Sequence, residues 1–416
     1  MVSYAMAFRT LISTAVLASH MDDPSYAIVD CRAKLDDLAW GAQEHAAAHI
    51  PGAVHADLSH DLSGPKNGTN GRHPLPDPHA LAQTFSRLGI AGGVQVVAYD
   101  QENAMFASRL WWLLRWLGHD AVAVLDGGFK NWTAEGRPTR SGATHRAPRE
   151  FTGSPRADMA VDVQTVTAHL GAAAPRLVDA RAPERYRGDN EPIDKIGGHI
   201  PGAKNHFFQW NLDDRGLFRT PEELRAKVKA SVGELPANQI VCYCGSGVTA
   251  CHNLLALEHA GLTGAKLYAG SWSEWSSDPA RPVEKGHPAM SHSPVRAANL
   301  PAPVGPYSPG MGFERLIFVS GQGGTDPATG KIADDVDLQT EQCLKNVQTI
   351  LEAAGSGLQH VLRCGVFLMD MGEFKKMNAV YARMFGDHRP ARTTVQVAGL
   401  PGEGLRVEID AIAYKP

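Results

Sequence analysis

Long apolar runs, basic clusters and disulfide-dense spacing are all missing from this chain of 416 residues, and each absence removes a class of function. A bilayer-spanning helix needs about 20 consecutive apolar residues. No stretch here approaches that length, so no membrane partner is expected. Lys and Arg form no run and the formal net charge is −4. Without a basic patch there is nothing to grip a phosphate backbone, and nucleic acid is not expected as a partner either. Six cysteines are too few to scaffold so long a chain, and Cys242 and Cys244 stand too close on one apparent strand to staple anything. A reducing compartment, the cytoplasm, is the expected setting. Low-complexity tracts are lacking too. With 43% hydrophobic and 20% charged residues, the chain reads as packed domains rather than disorder.

What is present is an internal repeat. The segment from about 10 to 135 recurs from about 160 to 278, too long a period for a solenoid and the right length for a duplicated domain. Ser13 to Met21 resembles Gln164 to Leu170, and each is followed by an apolar strand ending Asp30-Cys31-Arg32 or Asp179-Ala180-Arg181. His49-Ile50-Pro51-Gly52-Ala53 returns as His199-Ile200-Pro201-Gly202-Ala203, and Leu125 to Gly128 with Trp132 returns as Tyr268 to Ser271 with Trp275. The apolar strand Val94 to Tyr99 ends at Asp100, whereas Gln239 to Tyr243 ends at Cys244. The repeats therefore differ at one chemical position. Arg9 followed by Leu11 to Ala18 imitates a short secretory signal. Because Thr10 to Met21 matches the first helix of the second repeat, the segment is expected to be a helix of the fold instead.

Short apolar strands alternating with helical periodicity predict α/β domains, each a doubly wound parallel sheet with helices on both faces. Ligands gather outside the carboxyl ends of such strands, and Asp100 and Cys244 both stand there. Thr139 to Glu150 and Ala280 to Asn299, rich in Pro, Gly, Ser, His and charge, read as linkers. The predicted domains are residues 1–140, 151–285 and 296–416.

The loop Cys244-Gly245-Ser246-Gly247-Val248-Thr249 lies between a strand and the helix Ala250 to Gly261. Two glycines let successive backbone N–H groups turn inward as an anion nest, and the following helix aims its positive end at the same point. Both effects favour a thiolate at Cys244 and would hold a persulfide anion. An isolated cysteine at a strand end is ordinarily a core residue, and that reading is kept for Cys242 and Cys251, which lack the glycine loop.

The repeat, the two His-Ile-Pro-Gly-Ala segments and the CGSGVT loop together resemble the tandem rhodanese family of thiosulfate and mercaptopyruvate sulfurtransferases, over about residues 5 to 285. The resemblance implies a non-catalytic first repeat and a catalytic second one, in which Cys244 takes sulfur from the donor as a persulfide and passes it to cyanide or a thiol such as thioredoxin, without metal or cofactor. It implies loop contacts to the small-molecule donor from Gly245, Gly247, Val248 and Thr249. Arg185 matches the arginine that grips a substrate carboxylate, a role suited to a planar guanidinium. Ser246 matches a proton-handling serine, with His73 and Asp57 from the first repeat as its partners. A second substrate arginine falls at Ile193, where this chain has no charge; Arg187 and Lys195 are the nearby cations. A cysteine phosphatase needs Cys-x5-Arg, and here that arginine's position is Ala250.

From about residue 296 the repeat is gone. Leu316 to Ser320, Val361 to Met369 and the alternating Val407 to Tyr414 read as strands, and Asp337 to Ala354 and Phe374 to Phe385 as helices, which together make a compact α+β domain. Gly305-Pro306-Tyr307-Ser308, Ser320-Gly321-Gln322, Asn378-Ala379-Val380-Tyr381, Pro390-Ala391-Arg392 and Val407-Glu408-Ile409 resemble the RidA family in order and spacing. The resemblance implies a chorismate-mutase-like fold, a homotrimer, and hydrolysis of enamines and imines such as 2-aminoacrylate to 2-keto acids and ammonia. It implies that Arg392 holds the substrate carboxylate, that Tyr307 and Glu408 line the pocket, and that the backbone carbonyl of Thr394 orients water. A ligand-sensing module without turnover is the alternative for this domain.

Overall fold

The computed structural model describes residues 7–286, 292–297, 300 and 305–416, and the chain divides into two compact units, residues 1–288 and 289–416. The predicted boundary stretch Ala280 to Asn299 lies partly outside the described residues.

The first unit holds both repeats. In the first half β1 (Leu11–Ile12), β2 (Tyr26–Asp30), β3 (Val54–His55), β4 (Gln95–Tyr99) and β5 (Val122–Leu125) form a sheet of order β1-β5-β4-β2-β3. In the second, β6 (Ala160–Val161), β7 (Arg176–Asp179), β8 (Lys204–Asn205), β9 (Ile240–Tyr243) and β10 (Lys266–Tyr268) repeat it as β6-β10-β9-β7-β8. Every pairing in both sheets is parallel. Parallel strands covered on both faces carry continuous apolar runs rather than alternation, which is why QVVAY and IVCY are buried at every position.

The opening segment departs from the single helix expected. Leu11 and Ile12 pair with Val124 and Leu125 as an edge strand, and the helix is only Thr14–Ala18, with the Ser13 hydroxyl accepting from the Val16 N–H. Its counterpart repeats the arrangement, β6 followed by the helix Val163–Ala168 capped by Asp162. A free sheet edge offers unpaired backbone groups, and here that offer decides the conformation of two residues that periodicity assigned to a helix.

The repeated motifs make repeated contacts. Asp30 holds the Arg32 guanidinium through both carboxylate oxygens and accepts from the Tyr99 hydroxyl at 2.9 Å, while Asp179 holds Arg181 in the same way. Both pairs are buried, so each charge depends on the other for compensation. The backbone N–H of Ile50 donates to Tyr99 Oη and that of Ile200 to Tyr243 Oη. Trp132 Nε1 donates to the Pro138 carbonyl and Trp275 Nε1 to that of Pro282. Between the halves, the helix Ala107–Trp116 packs on the helix Thr249–His259, and one apolar cluster containing Trp112, Leu113, Leu254 and Leu255 spans both sheets.

The second unit is built on one mixed sheet. The strands β11 (His292–Val295), β12 (Gly310–Phe313), β13 (Leu316–Gly323), β14 (Val361–Leu368), β15 (Ala391–Gln396) and β16 (Val407–Tyr414) have the order β11-β12-β13-β16-β14-β15. Only β14 and β15 pair in parallel. The helices Val336–Ala353 and Phe374–Phe385 supply apolar side chains such as Leu344, Val347 and Met377 to a core that includes alternate residues of β16, Val407, Ile409, Ala411 and Ala413. Strands β11, β12 and β15 are additions to the sequence expectation. Their exposed or glycine-containing stretches, HSPV, GMGF and ARTTVQ, carry too little apolar pattern to read alone.

Candidate active site

Cys244 follows β9, in the middle of the second sheet, at the carboxyl end where parallel strands open. Its backbone is fixed on both sides: the N–H donates to Ser271 Oγ at 3.1 Å and the carbonyl accepts from Trp272 N–H at 2.9 Å. The chain then curls over the sulfur. Gly247 N–H points at Cys244 Sγ from 3.1 Å and Ser246 N–H from 3.5 Å. Gly247 adopts φ +77°, and a Cβ there would lie 2.4 Å from the Ala269 carbonyl oxygen, so only glycine closes this turn. The helix Thr249–His259 begins with no side chain capping its first N–H groups. Its positive end is therefore left facing the loop.

The first half shows the same cradle already filled. Asp100 occupies the position equivalent to Cys244, and its carboxylate accepts from the N–H groups of Ala104, Phe106 and Ala107 at 3.0, 2.8 and 3.2 Å. A loop of this shape therefore converges N–H donors on one acceptor group, and these donors oppose the upward push of burial on the Asp100 carboxyl.

A cavity of about 160 Å³ opens over the sulfur, lined by Cys244, Gly245, Ser246, Val248 and Thr249 with Arg185, Arg72, Phe106 and Phe208 among its walls. Gly247 lies behind the loop and reaches the sulfur through its N–H. A larger cavity of about 500 Å³, between Lys130 and Asp213 to Gly216, has mixed charge and no thiol or hydroxyl side chain, so size does not mark the chemistry here. The other cysteines behave as core residues: burial pushes the Cys251 thiol up to about 12 and Cys242 higher still.

Ser246 Oγ is 2.8 Å from His73 Nδ1, a contact from one half to the other. Burial, helped by the charges of Arg109, Lys66 and Arg72, pulls the His73 imidazole down to about 3, which leaves it neutral. Asp57 does not complete a triad. Its Oδ1 accepts from the Ser59 and His60 N–H groups and from His60 Nδ1, all within its own turn, and among the described residues no hydrogen bond joins it to His73. The Asx-turn habit of an aspartate followed by a polar loop prevails here. Both residues nonetheless line one cavity of about 110 Å³ beside the first, and Arg72, Leu35 and Ile193 border both spaces.

Arg185 is held by Glu191, with Nε and Nη2 to the two carboxylate oxygens at 3.1 and 2.7 Å, and reaches Asp194 at 3.3 Å. Arg187 pairs with Asp189 and Lys195 is exposed, and neither lines the cavity, so neither replaces the charge missing at Ile193. Two arginines escaped the sequence reading. Arg72, next to His73, forms an ion pair with Asp194 across the halves. Arg109, fully buried, donates to the carbonyls of Gly247, His73 and Pro74 at 3.1, 3.1 and 3.4 Å and so ties the cysteine loop to the segment that carries the histidine. One signal was available for it: a charge early in the helix ASRLWWLLRW, whose other polar residues are Ser108 and, in the last turn, Arg115.

In the second unit the expected site residues are not gathered within one chain. The register sets Arg392 and Thr394 on β15 beside Cys364 and Val366, on the face that packs against the helices. Glu408 on β16 stands beside Phe367, on the opposite face. Arg392 Nη2 donates to Asn378 Oδ1 at 2.8 Å and its guanidinium lies 4.6 Å from the Tyr381 ring centroid. Tyr307 is exposed, and the Thr394 hydroxyl is buried without a partner among the described residues. Gly321 makes room for Glu408, whose carboxylate would collide with any Cβ there, and burial raises the Glu408 carboxyl above its ordinary range.

Comparison with known proteins gives two domain assignments. A model described as "Rhodanese-like domain" matches residues 13–135 and 162–278, and one described as "Endoribonuclease L-PSP" matches 297–415. The "Probable 3-mercaptopyruvate sulfurtransferase" of Pseudomonas aeruginosa is 46% identical over 283 residues, covering 68% of this chain and 100% of that protein. The 3-mercaptopyruvate sulfurtransferase of Mus musculus is 34% identical over 279 residues, 64% of this chain and 92% of that one. Among solved structures, the 3-mercaptopyruvate sulfurtransferase from Leishmania major superposes with a TM-score of 0.58 at 32% identity, covering 64% of this chain and 74% of that chain. SseA from Escherichia coli gives 0.56 at 31% identity, covering 64% and 99%.

Proposed function

The chain belongs to the rhodanese family of sulfurtransferases and carries a C-terminal domain of the Endoribonuclease L-PSP (RidA) family, and on that premise we propose that Cys244 moves sulfur from 3-mercaptopyruvate or thiosulfate through a persulfide. The observation that carries this reading is the pair of inward N–H groups on Cys244 Sγ, matched by the three on the Asp100 carboxylate. With mercaptopyruvate, the thiolate attacks the donor's sulfur, the S–S bond forms and the C–S bond breaks, leaving the enolate of pyruvate. The donor's thiol proton passes through the Ser246 hydroxyl to the enolate carbon, and neutral His73 orients that hydroxyl through its hydrogen bond. What remains on Cys244 is the persulfide anion in its amide cradle. A nucleophilic acceptor, cyanide or a thiolate, then attacks the outer sulfur and regenerates the Cys244 thiolate. Thioredoxin is an acceptor of that kind.

For the second unit we propose hydrolysis of 2-aminoacrylate-type imines, with Arg392 holding the carboxylate. Separation of Arg392 from Glu408 on opposite faces of the sheet favours a site completed by a second chain, as in the trimer expected of this family. Cysteine breakdown yields both mercaptopyruvate and 2-aminoacrylate, which gives the fusion a common supply of three-carbon acids. Ligand sensing without turnover is the competing reading, and the presence of Arg392 is what favours catalysis.

The test of the sulfur step is direct. After treatment with donor, mass spectrometry of the intact chain should find one added sulfur on the Cys244 peptide, and Cys244→Ser should form no thiocyanate from cyanide with either donor. Normal turnover by that variant would exclude Cys244 as the carrier.

A further inference from the structure

Arg185 does not face the cavity alone. Arg72 comes from the first half, and its Nη2 lies 2.8 Å from where a Cβ on Gly245 would stand; Nη2 of Arg185 lies 3.4 Å from the same point and Nη1 3.7 Å. Both guanidinium groups lean on one carboxylate, Arg72 on Asp194 Oδ1 and Arg185 on Asp194 Oδ2, while Glu191 takes two more donors of Arg185. Like charges come this close only when carboxylates neutralise them. The carboxylates do not use up the donors. Among the described residues, Arg72 Nη2 and Arg185 Nη1 have no hydrogen-bond acceptor, and both side chains line the cavity over Gly245. Ile193, exposed and without charge, borders the same cavity.

We propose that Arg72 and Arg185 form a two-guanidinium clamp, one arm from each half, that binds the donor's carboxylate above Gly245 and takes the place of a cation at position 193. This deepens the sulfurtransferase reading and rests on it. Each arm offers charge-assisted N–H donors to one carboxylate oxygen, which places the donor's sulfur end toward Cys244 at the floor of the same cavity. Gly245 is the residue whose missing side chain makes the space: any Cβ would press on Arg72. The donor site is then incomplete in either half alone, and donor affinity depends on a residue that sequence motifs assign to the non-catalytic half.

The test uses the full chain and two independent measurements. Steady-state kinetics should show Arg72→Ala raising KM for mercaptopyruvate about tenfold or more, as for loss of a charged hydrogen bond, with kcat moved far less. Arg72→Lys should recover part of the loss, and adding Ile193→Arg to Arg72→Ala should recover more, since it returns a guanidinium to the same cavity. An unchanged KM in Arg72→Ala would overturn the clamp, and so would a KM rise that neither replacement reduces, because that pattern belongs to a merely structural ion pair. The second measurement needs no sulfur transfer: the alkylation rates of Cys244 by anionic iodoacetate and by neutral iodoacetamide, read by peptide mass spectrometry. An anion clamp raises the iodoacetate-to-iodoacetamide ratio, and Arg72→Ala should lower it about tenfold. An equal ratio in both proteins would sink the clamp even if turnover is normal. A lowered ratio in a chain that turns over neither donor would leave the clamp standing and remove the sulfurtransferase reading beneath it.

Discussion

A neutral His73 changes what the Ser246 hydroxyl can do. An imidazole held at about 3 is uncharged throughout the working range, so it can accept a hydrogen bond from the hydroxyl and orient it but cannot carry the proton as an imidazolium acid. The pH profile of kcat for mercaptopyruvate should therefore show no acid limb near the ordinary histidine value of 6.5; a limb there that vanished in His73→Gln would contradict the neutral imidazole. Removing the hydroxyl in Ser246→Ala should lower kcat by roughly 10²-fold or more, the usual scale for a lost proton-transfer group, while thiosulfate, which releases sulfite and needs no carbon protonated, should lose much less. Equal losses with the two donors would remove Ser246 from the proton path. At this scale the sequence was informative where a residue stood inside a motif, as Cys244, Ser246 and Arg185 did. It was silent where distant loops meet, as for Arg72 and Arg109, and it did not show that Asp57 accepts within its own turn rather than from His73.

Elements position these side chains through a few backbone demands. The turn over the sulfur requires a left-handed residue at 247 with no Cβ, because the Ala269 carbonyl occupies the only place a side chain could go. Gly247→Ala should thus abolish sulfur loading and destabilise the fold by about 1–3 kcal/mol, the range for a strained backbone position, measurable by urea unfolding; retention of full activity would mean the cradle is not needed. By contrast the helix Pro221–Val232 is fixed by an ordinary device, a capping box in which Thr220 and Glu223 exchange hydrogen bonds. Thr220→Ala should cost about 0.5–2 kcal/mol without touching KM. Helices and central strands with strong periodicity were legible before any coordinates. The two-residue edge strands β1 and β6 were not, since their conformation comes from a neighbour in the sheet rather than from their own side chains.

On the scale of the whole molecule, the two halves of the first unit are joined by groups that have no meaning in either half alone. Arg109 is buried and donates to the carbonyls of Leu62, Gly247, His73 and Pro74, an arrangement that is costly unless every donor is met. The buried Asp30 is held down to about 2 by its hydrogen bonds with His45 and Arg32 and by the Arg32 charge, against the opposing effect of burial. A carboxyl depressed in the folded state contributes stability that is complete above its unfolded value of 3.8 and is lost as pH falls toward about 2. Unfolding free energy should accordingly drop across that window, and a flat profile would show that the pair contributes nothing. The RidA-family unit forms its own sheet and core, so Arg392→Ala should abolish acceleration of 2-aminoacrylate decay while thiocyanate formation continues unchanged. Should wild type hasten that decay no more than the variant does, the deaminase proposal fails.

Asp100 gives the first half a carboxylate inside its loop, where the equivalent loop of the second half bends over a thiol sulfur. Burial raises the Asp100 carboxyl while the loop's own N–H donors pull it down; on the sulfur-transfer proposal its twin takes up a second sulfur instead. On that proposal the sulfur is held by the backbone between residues 244 and 248, which Arg109 braces from across the seam.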